Sequence, residues 1–440
     1  NKFRFYNTLT RQIETVIPHE DGKIAMYTCG PTVYHFAHIG NLRSYIMEDV
    51  LEKYLRYAGY DVKRVMNITD VGHLTSDADS GEDKMLKGAK REHKTVMEIA
   101  EFYRKAFFED CAKLNIKTPD VVEPATNCIP EFIHMIEKLL DDGYAYVAGG
   151  NVYFDTSKLK EYYVLSNQKE EELMVGARDD VEEDENKRSK TDFVLWFTKS
   201  KFDDQELKWD SPWGVGYPGW HIECSVMSKK YLGDEIDIHA GGEDLIFPHH
   251  ENEIAQSEAA NGVPFAKYWL HNAFLNIDNK KMSKSLGNFF TVREIGEKYD
   301  LQVLRFFMLS AHYRSPLNFS ADLMEAAKSG LERIVTAAEN LQRLSGSTAG
   351  ELSEAEKDLL NQSHAYQEKF EAAMDDDFNT ADAVSAVFEY VKFCNTNVSG
   401  ENSKAYIDAL YAKLKELCDV LGIIVEKEAE ILDADIEKLI

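Results

Sequence analysis

Apolar residues change their spacing twice along the first part of the chain, which predicts a strand, a helix and a second strand. Lys23 to Cys29 is a short apolar run with aromatic content, typical of a buried strand. From Asn41 to Gly59 apolar residues recur at helical spacing, and Gly59 stands where a C-terminal cap belongs. Tyr60 to Asp70 is a second apolar strand. This order predicts an α/β fold with a doubly wound parallel sheet of the Rossmann type, whose ligands bind beyond the carboxyl ends of its strands.

The apolar pattern becomes irregular at 111–212 and then returns. We interpret three later runs, Trp220–Ser228, Glu235–Phe247 and Tyr268–Asp278, as further parts of the sheet. The sequence therefore predicts one catalytic domain in two halves, 1–110 and 213–285, divided by a connective insertion at 111–212. A helical region at 286–345 and a separate helical bundle at 351–440 follow. Between them lies a linker of small residues, and Ser353 with Glu356 has the spacing of a capping box.

Composition narrows the class of protein. A chain of 440 residues suggests about two to four domains. No apolar run approaches the roughly 18 residues that a transmembrane helix needs, and the polar start has no apolar signal region, so we expect a cytoplasmic protein without a membrane segment. Six scattered cysteines fit a reducing compartment. The net charge of −27 weakens a nucleic-acid hypothesis, although a local basic face can act independently of distant acid.

Two short motifs carry residues suited to phosphate. The run KKMSKSLGN, Lys280 to Asn288, places Lys281 and Lys284 among small hydroxyl residues before a glycine, which suits a mobile cationic loop over a triphosphate. The run HIGN, His38 to Asn41, lies where the first loop becomes the first helix. Gly40 permits close backbone approach there, beside the helix N-terminus. Taken singly, a basic run is more often a solvated turn and a histidine before a helix more often a cap.

Together the two motifs resemble the HIGH and KMSKS signatures of class I aminoacyl-tRNA synthetases. YTCGPTVY, NITD, PGWHIECS, DIHAGGEDLIFPHHENEIAQS and KMSKSLGN narrow the resemblance to the cysteinyl-tRNA synthetases, along nearly the whole chain. The resemblance implies that L-cysteine is activated with ATP and Mg²⁺ to cysteinyl-adenylate and transferred to the 3′-terminal adenosine of tRNA(Cys). It also implies that 286–345 contacts the tRNA stem and that 351–440 binds the anticodon region.

The same resemblance implies one active-site zinc that holds the substrate thiolate, with Cys29, Cys224, His249 and Glu253 as its ligands. Zinc favours thiolate, imidazole and carboxylate. His249 and Glu253, at i and i+4, share one face of a helix that we predict to be amphipathic, but His250 with Glu253 at i and i+3 is also possible. The residues alone leave the two histidines equal, and the resemblance favours His249.

Further roles follow from the resemblance, residue by residue. It implies catalytic roles for His38, Asn41, Lys281 and Lys284, ATP contacts for these four with Gly40 and Asp244, and substrate contacts for Thr69, Trp220 and His239. Without that context, Trp220 would as readily be a core aromatic residue and Thr69 a hydroxyl that satisfies the backbone at a strand end. Because a metal can test for sulfur chemically, we expect no hydrolytic proofreading site in the insertion.

Two departures from the family pattern keep alternatives open. Asn41 replaces the second histidine of HIGH and can donate a hydrogen bond to phosphate but carries no charge. The sequence ends at Ile440, where family members generally continue, so we expect either a natively short chain or an end that is not represented here. The alternatives are a ligase that passes cysteine to a small amine and a non-catalytic paralogue that binds zinc or tRNA. We expect a monomer.

Overall fold

A computed structural model describes residues 2–71, 95–166, 184–199, 207–282, 287 and 290–426. Its strands are β1 Arg4–Asn7, β2 Gln12–Thr15, β3 Lys23–Thr28, β4 Asp61–Ile68, β5 Val121–Pro124, β6 Ala145–Ala148, β7 Asn151–Phe154, β8 Phe193–Phe197, β9 Tyr217–Pro218, β10 Ile236–Gly242, β11 Ala266–Asn272, β12 Leu275–Ile277, β13 Lys280–Lys281 and β14 Leu317–Phe319. Its α-helices are α1 Ile39–Tyr57, α2 Val96–Lys113, α3 Ile129–Asp141, α4 Trp220–Leu232, α5 Glu251–Asn261, α6 Val292–Lys298, α7 Leu301–Met308, α8 Ala321–Ser345, α9 Glu354–Asp375, α10 Thr380–Thr396 and α11 Lys404–Leu421.

The central sheet confirms the predicted fold class. Within the described residues it has five parallel strands in the order β11-β10-β3-β4-β5. The strand β3 continues to one side through β4, whereas β10 continues to the other side through β11. The boundary between β3 and β10 is therefore the topological switch point, where a crevice opens at the carboxyl ends of the strands. The apolar faces of these strands are buried, as for Ile24, Met26 and Ile238.

Two segments differ from the sequence prediction. The run Trp220–Ser228 is not part of the sheet but the start of helix α4, so Cys224 reaches the crevice from a helix. Helix α5 is almost wholly buried rather than amphipathic. In both helices polar residues are buried alongside apolar ones, because α4 and α5 pack against each other and against α3, and α4 also packs against the inner strands β3 and β4. A helix buried on all sides shows no apolar stripe in its sequence.

A smaller antiparallel sheet and a helical bundle accompany the central sheet. An antiparallel sheet, β6-β7-β8-β9, lies in the chain between the two halves of the central sheet. Strand β5, at the edge of the central sheet, also lies within the predicted insertion at 111–212. The helices α9, α10 and α11 form a bundle. Its first helix begins with the predicted capping box of Ser353 and Glu356. Among the described residues, no helix is both long and apolar enough to cross a bilayer.

A fully buried arginine joins the bundle to α1. The guanidinium of Arg305 on α7 lies 2.7 Å from the carboxylate of Asp49 on α1. It also donates to the backbone carbonyl of Leu421 at the end of α11, at 2.9 Å, and to that of Leu114, at 3.1 Å. Gly422 follows α11 with a left-handed φ of 71°, and a side chain there would collide with the guanidinium. This junction ties the helix that begins with HIGN to the C-terminal bundle.

Candidate metal and nucleotide site

A cavity of about 240 Å³ lies at the switch point of the sheet. Cys29, directly after β3, and Gly242, at the end of β10, form part of its wall. The first turn of α1 contributes His38 and Asn41, and the start of α4 contributes Trp220. One cavity therefore brings together residues from both predicted halves of the catalytic domain.

Two cysteines, a histidine and a glutamate meet at one end of this cavity. The sulfur atoms of Cys29 and Cys224 are 3.4 Å apart, and Nε2 of His249 lies 3.3 Å from the Cys224 sulfur. A carboxylate oxygen of Glu253 is 3.2 Å from the same Nε2 and 3.9 Å from the Cys29 sulfur. All four donor atoms lie within 4.8 Å of one another. The structure thus brings the four sequence-predicted ligands into one group that could hold a metal ion.

A second group of donors overlaps the first. It consists of Cys29, His239, His250 and Glu253, also within 4.8 Å of one another. Nε2 of His250 is 3.7 Å from both the Cys29 sulfur and Glu253 Oε2. Only the first group contains both thiols, and sulfur-rich sets are the ones that zinc favours. The donor chemistry therefore favours His249 over His250.

Burial opposes ionisation of the thiols and the carboxyl group in this cluster, whereas a bound cation would favour it. Burial raises the pKa of the Cys29 thiol and raises the pKa of Cys224 to about 11. Burial likewise raises the pKa of the Glu253 carboxyl and lowers the pKa of His250. Without a cation these groups stay neutral, although metal binding requires thiolate and carboxylate. A divalent ion supplies the positive charge that ionises them, so the donor set fits zinc.

Neighbouring aromatic and polar side chains orient the ligands. The Trp220 indole stacks on the His249 ring with centroids 4.0 Å apart and an interplanar angle of 19°. Nε2 of His239 lies 2.8 Å from Glu253 Oε1, so His239 orients the carboxylate while Oε2 faces the sulfur atoms. On its other side, His239 stacks on Trp269 at 4.3 Å. Trp220 thus restricts the His249 ring directly, and Trp269 restricts the Glu253 carboxylate through His239.

The HIGN motif and the segment around KMSKS are tied together by backbone hydrogen bonds. The amide of Ile39 donates to the carbonyl of Phe290, at 3.1 Å, and the amide of Val292 donates to that of Ala37, at 2.9 Å. A Cβ atom on Gly40 would lie 2.8 Å from the Met282 methyl group, so Gly40 packs closely against Met282. The side chain of Lys281 and all of Lys284 lie outside the described residues.

His38 and Asp244 have local partners as well as a place at the cavity. Nδ1 of His38 accepts a hydrogen bond from the amide of Asn41, at 3.3 Å, so His38 also caps α1. Asp244 lies in the short turn after β10. Its carboxylate approaches Gly242 so closely that a Cβ on Gly242 would overlap it. A Cβ on Gly241 would lie 2.8 Å from the His250 ring, which explains the paired glycines.

Thr69 is buried beside the group of four donors rather than open to the cavity. Its hydroxyl donates to Glu223 on α4, at 2.7 Å, and Asn67 donates to the same carboxylate, at 3.2 Å. Burial raises the pKa of Glu223 to about 8. Asn67 also accepts from the Gly30 amide, at 2.8 Å, and thereby links the ends of β3 and β4. Whether Thr69 contacts substrate stays a prediction.

Sequence reasoning missed the residues behind the ligands. His221 and Glu223 flank Ile222 on α4, and His271 lies near the end of β11 beside His250. The signal that could have found His221 was its position in WHIEC, about one turn before Cys224 on what proved to be a helix. Interpreting that run as a strand hid the relation.

Comparison with known proteins gives consistent findings from family models and from individual relatives. Residues 15–329 match the family model for the tRNA synthetases class I (C) catalytic domain, and residues 369–426 match the DALR domain. The chain is 55% identical to the cysteine-tRNA ligase of Lachnospira eligens, over 99% of this chain and 91% of that protein. It is 50% identical to that of Clostridioides difficile, with the same coverage.

Solved structures resemble the fold at low sequence identity. A Mycobacterium tuberculosis methionyl-tRNA synthetase in complex with methionyl-adenylate matches with a TM-score of 0.59 and 15% identity, covering 93% of both chains. A leucyl-tRNA synthetase from Agrobacterium radiobacter, in a ternary complex, matches with a TM-score of 0.61 and 12% identity, covering 93% of this chain and 84% of the other.

Proposed function

The chain belongs to the cysteine-tRNA ligase family of class I aminoacyl-tRNA synthetases, and from this premise we propose that it is the ATP-dependent ligase that joins L-cysteine to tRNA(Cys). The observation that supports the proposal best is the position of the donor cluster. Cys29 belongs both to the four-ligand group and to the wall of the cavity that His38 and Asn41 line. A sulfur-binding centre and a nucleotide motif thus share one small space.

In the first step, the cysteine carboxylate attacks the α-phosphorus of ATP, cysteinyl-adenylate forms and pyrophosphate leaves. His38 and Asn41 donate hydrogen bonds to the phosphates, and Lys281 and Lys284 stabilise the charge that builds on the pyrophosphate, together with Mg²⁺. Asp244 and the close-approach position Gly40 complete the ATP contacts. Because no covalent enzyme intermediate forms, positioning and electrostatics provide the rate acceleration.

Selectivity for cysteine comes from the end of the cavity where the sulfur atoms lie. A zinc ion held by Cys29, Cys224, His249 and Glu253 would bind the substrate sulfur as a thiolate, which serine cannot supply. Shape alone discriminates near-isosteric side chains by only about 10²-fold. Trp220 and His239 fix the imidazole and carboxylate ligands and close the pocket around the small side chain.

In the second step, a ribose hydroxyl of the terminal tRNA adenosine attacks the acyl carbonyl of the adenylate, and AMP leaves. The region 286–345 contacts the tRNA stem, and the bundle at 351–440, which contains the matched DALR domain, binds the anticodon region. No hydrolytic site is needed in 111–212. We place the enzyme in the cytoplasm as a monomer; sedimentation of the purified protein tests the second point.

The combined measurement of bound zinc and of cysteine-dependent exchange of pyrophosphate into ATP tests this proposal. Wild type is expected to hold one zinc per chain and to catalyse the exchange with cysteine. Cys224→Ser is expected to lose zinc and selectivity against serine together. Cys111→Ser is the matched control, because Cys111 is also buried but lies in the hydrophobic core of α2.

Three results would contradict parts of the proposal. If Cys224→Ser kept its selectivity without metal, recognition through zinc would be wrong. If wild type charged a small amine and not tRNA, the chain would be an amine-specific ligase. If wild type bound zinc or tRNA without any pyrophosphate exchange, it would be a non-catalytic paralogue.

A further inference from the structure

One buried histidine lies directly behind the imidazole ligand without belonging to either donor group. Nδ1 of His221 is 2.9 Å from Nδ1 of His249. His221 is only 3% exposed and lies at the start of α4, three residues before Cys224. Residues at i and i+3 share a helix face, so α4 presents the ligand Cys224 and the support His221 to the same side. Nε2 of His249 faces the Cys224 sulfur.

The ring contact determines which nitrogen of His249 carries the proton. To bind a metal through Nε2, a neutral imidazole must keep its proton on Nδ1. That proton needs an acceptor, and the atom in place is Nδ1 of His221, which then carries its own proton on Nε2. We propose that His221 is a positioning residue of the metal site, which fixes the tautomer and orientation of His249; this inference rests on the zinc site of the proposed function.

The surroundings of His221 hold its ring and backbone in place. The Phe193 ring meets it edge to face, with centroids 5.6 Å apart and an interplanar angle of 88°. The side-chain amide of Gln256, on α5, donates to the backbone carbonyl of His221 at 2.8 Å. Gln256 lies three residues after Glu253 on α5, so this one contact links the two helices that carry Cys224 and Glu253. His221 is therefore buried and held by contacts from two sides.

The adjacent histidine has a matched arrangement of its own. Nδ1 of His250 lies 2.8 Å from Nε2 of His271, whose Nδ1 lies 2.7 Å from the Thr8 hydroxyl. His221 therefore supports the donor group with two sulfur atoms, and His271 supports the group that contains His239 and His250. Substitution of each support reports which of the two groups holds the ion.

The experiment measures zinc affinity of the full chain by competition with a chromophoric chelator. The variants are His221→Phe, His221→Asn, His221→Gln and the control His271→Phe. Phenylalanine keeps the ring without the acceptor, and loss of such a support typically weakens metal binding about 10- to 100-fold. Asparagine places an oxygen near the position of Nδ1, whereas glutamine extends past it. We expect His221→Phe and His221→Gln to lose affinity, and His221→Asn and His271→Phe to bind zinc within a few-fold of wild type.

A second readout separates positioning from general damage. Saturating zinc is expected to restore cysteine-dependent pyrophosphate exchange in His221→Phe, which would not happen if the fold were impaired. Equal zinc affinity of the asparagine and glutamine variants would overturn the inference, even if the phenylalanine variant failed to fold. Loss of affinity in His271→Phe alone would assign the ion to the other donor group. A wild type without zinc would instead refute the metal site of the proposed function.

Discussion

At the residue scale, Gly30, which follows Cys29 of the four-donor group, has the least room for a side chain. A Cβ atom there would lie 1.6 Å from the carbonyl oxygen of Asn67. Because that oxygen belongs to the backbone, Gly30→Ala must push β3 and β4 apart directly beside Cys29. We expect the substitution to lower the free energy of unfolding by about 3 kcal/mol and to weaken zinc binding, as measured by chemical denaturation and chelator competition.

Gly400 provides the control for this substitution. It has no neighbour within 4 Å of an added Cβ and no left-handed φ. Gly400→Ala should therefore leave both unfolding and zinc affinity close to those of wild type. Unchanged zinc affinity in a folded Gly30→Ala protein would show that the ligand position tolerates the shift.

Residue identity made the four donors predictable but not the residues that contact them. Cys29, Cys224 and Glu253 are reactive side chains inside a recognisable pattern, so their meeting at one point could be expected from sequence. His221 and His271 act through geometry that depends on how α4 and β11 pack. Nothing in the spacing of His271 relative to His250 connects the two, since one ends a strand and the other precedes a helix.

At the scale of the elements, apolar spacing predicted α1, β3 and β4 but misassigned α4, whose predicted strand is a helix. Helix α1 and strands β3 and β4 follow their apolar patterns closely. In α4, every residue from His221 to Ser228 is buried. Among its buried polar residues, Glu223 accepts hydrogen bonds from Thr69 and Asn67. A sequence pattern reveals the buried face of a helix only where another face is exposed to solvent. The segment of α4 from His221 to Ser228 has no exposed face, so its sequence shows no such pattern.

The N-termini of two bundle helices depend on one glutamate. Glu356 accepts from the amides of Ser353 and Ser403, at 3.0 and 2.9 Å, and so caps α9 and α11 together. Burial opposes ionisation, but these hydrogen bonds and that of the Ser403 hydroxyl outweigh it and lower the pKa of Glu356 to about 2. We expect Glu356→Gln to reduce the free energy of unfolding near neutral pH by about 1–3 kcal/mol.

The effect of Glu356 should depend on pH with a defined sign. A carboxylate with a lowered pKa in the folded state stabilises it above the ordinary pKa of 4.5, and this contribution disappears as the pH falls toward about 2. The difference between wild type and Glu356→Gln in denaturant titrations should therefore shrink over that range. Glu354→Gln, in the same helical turn but 92% exposed beside Lys357, should change stability by less than about 0.5 kcal/mol at any pH. A difference independent of pH would contradict this account.

At the scale of the whole molecule, Arg305 couples the C-terminal bundle to the nucleotide motif. Its guanidinium and the Asp49 carboxylate are both fully buried, and breaking such a pair typically costs about 3–5 kcal/mol. We expect Arg305→Met to lower thermal stability and to reduce tRNA charging more than pyrophosphate exchange, because the bundle would lose its alignment with α1. Both activities, assayed on the same preparation, check this.

Arg343 is the corresponding control for Arg305. It lies near the exposed end of α8 and donates to Asn340 on the same helix, so Arg343→Met should alter neither activity. An Arg305→Met protein that lost both activities in the same proportion would indicate general destabilisation rather than misalignment.

The two central strands of the main sheet come from distant parts of the chain, since β3 pairs with β10 across more than two hundred residues of sequence. A break engineered between β7 and β8 would leave Cys29 on one fragment and Cys224, His249 and Glu253 on the other. Neither fragment could complete the coordination sphere alone. Co-expression of the two fragments should therefore restore the metal site, because each fragment contributes donor atoms to the same ion.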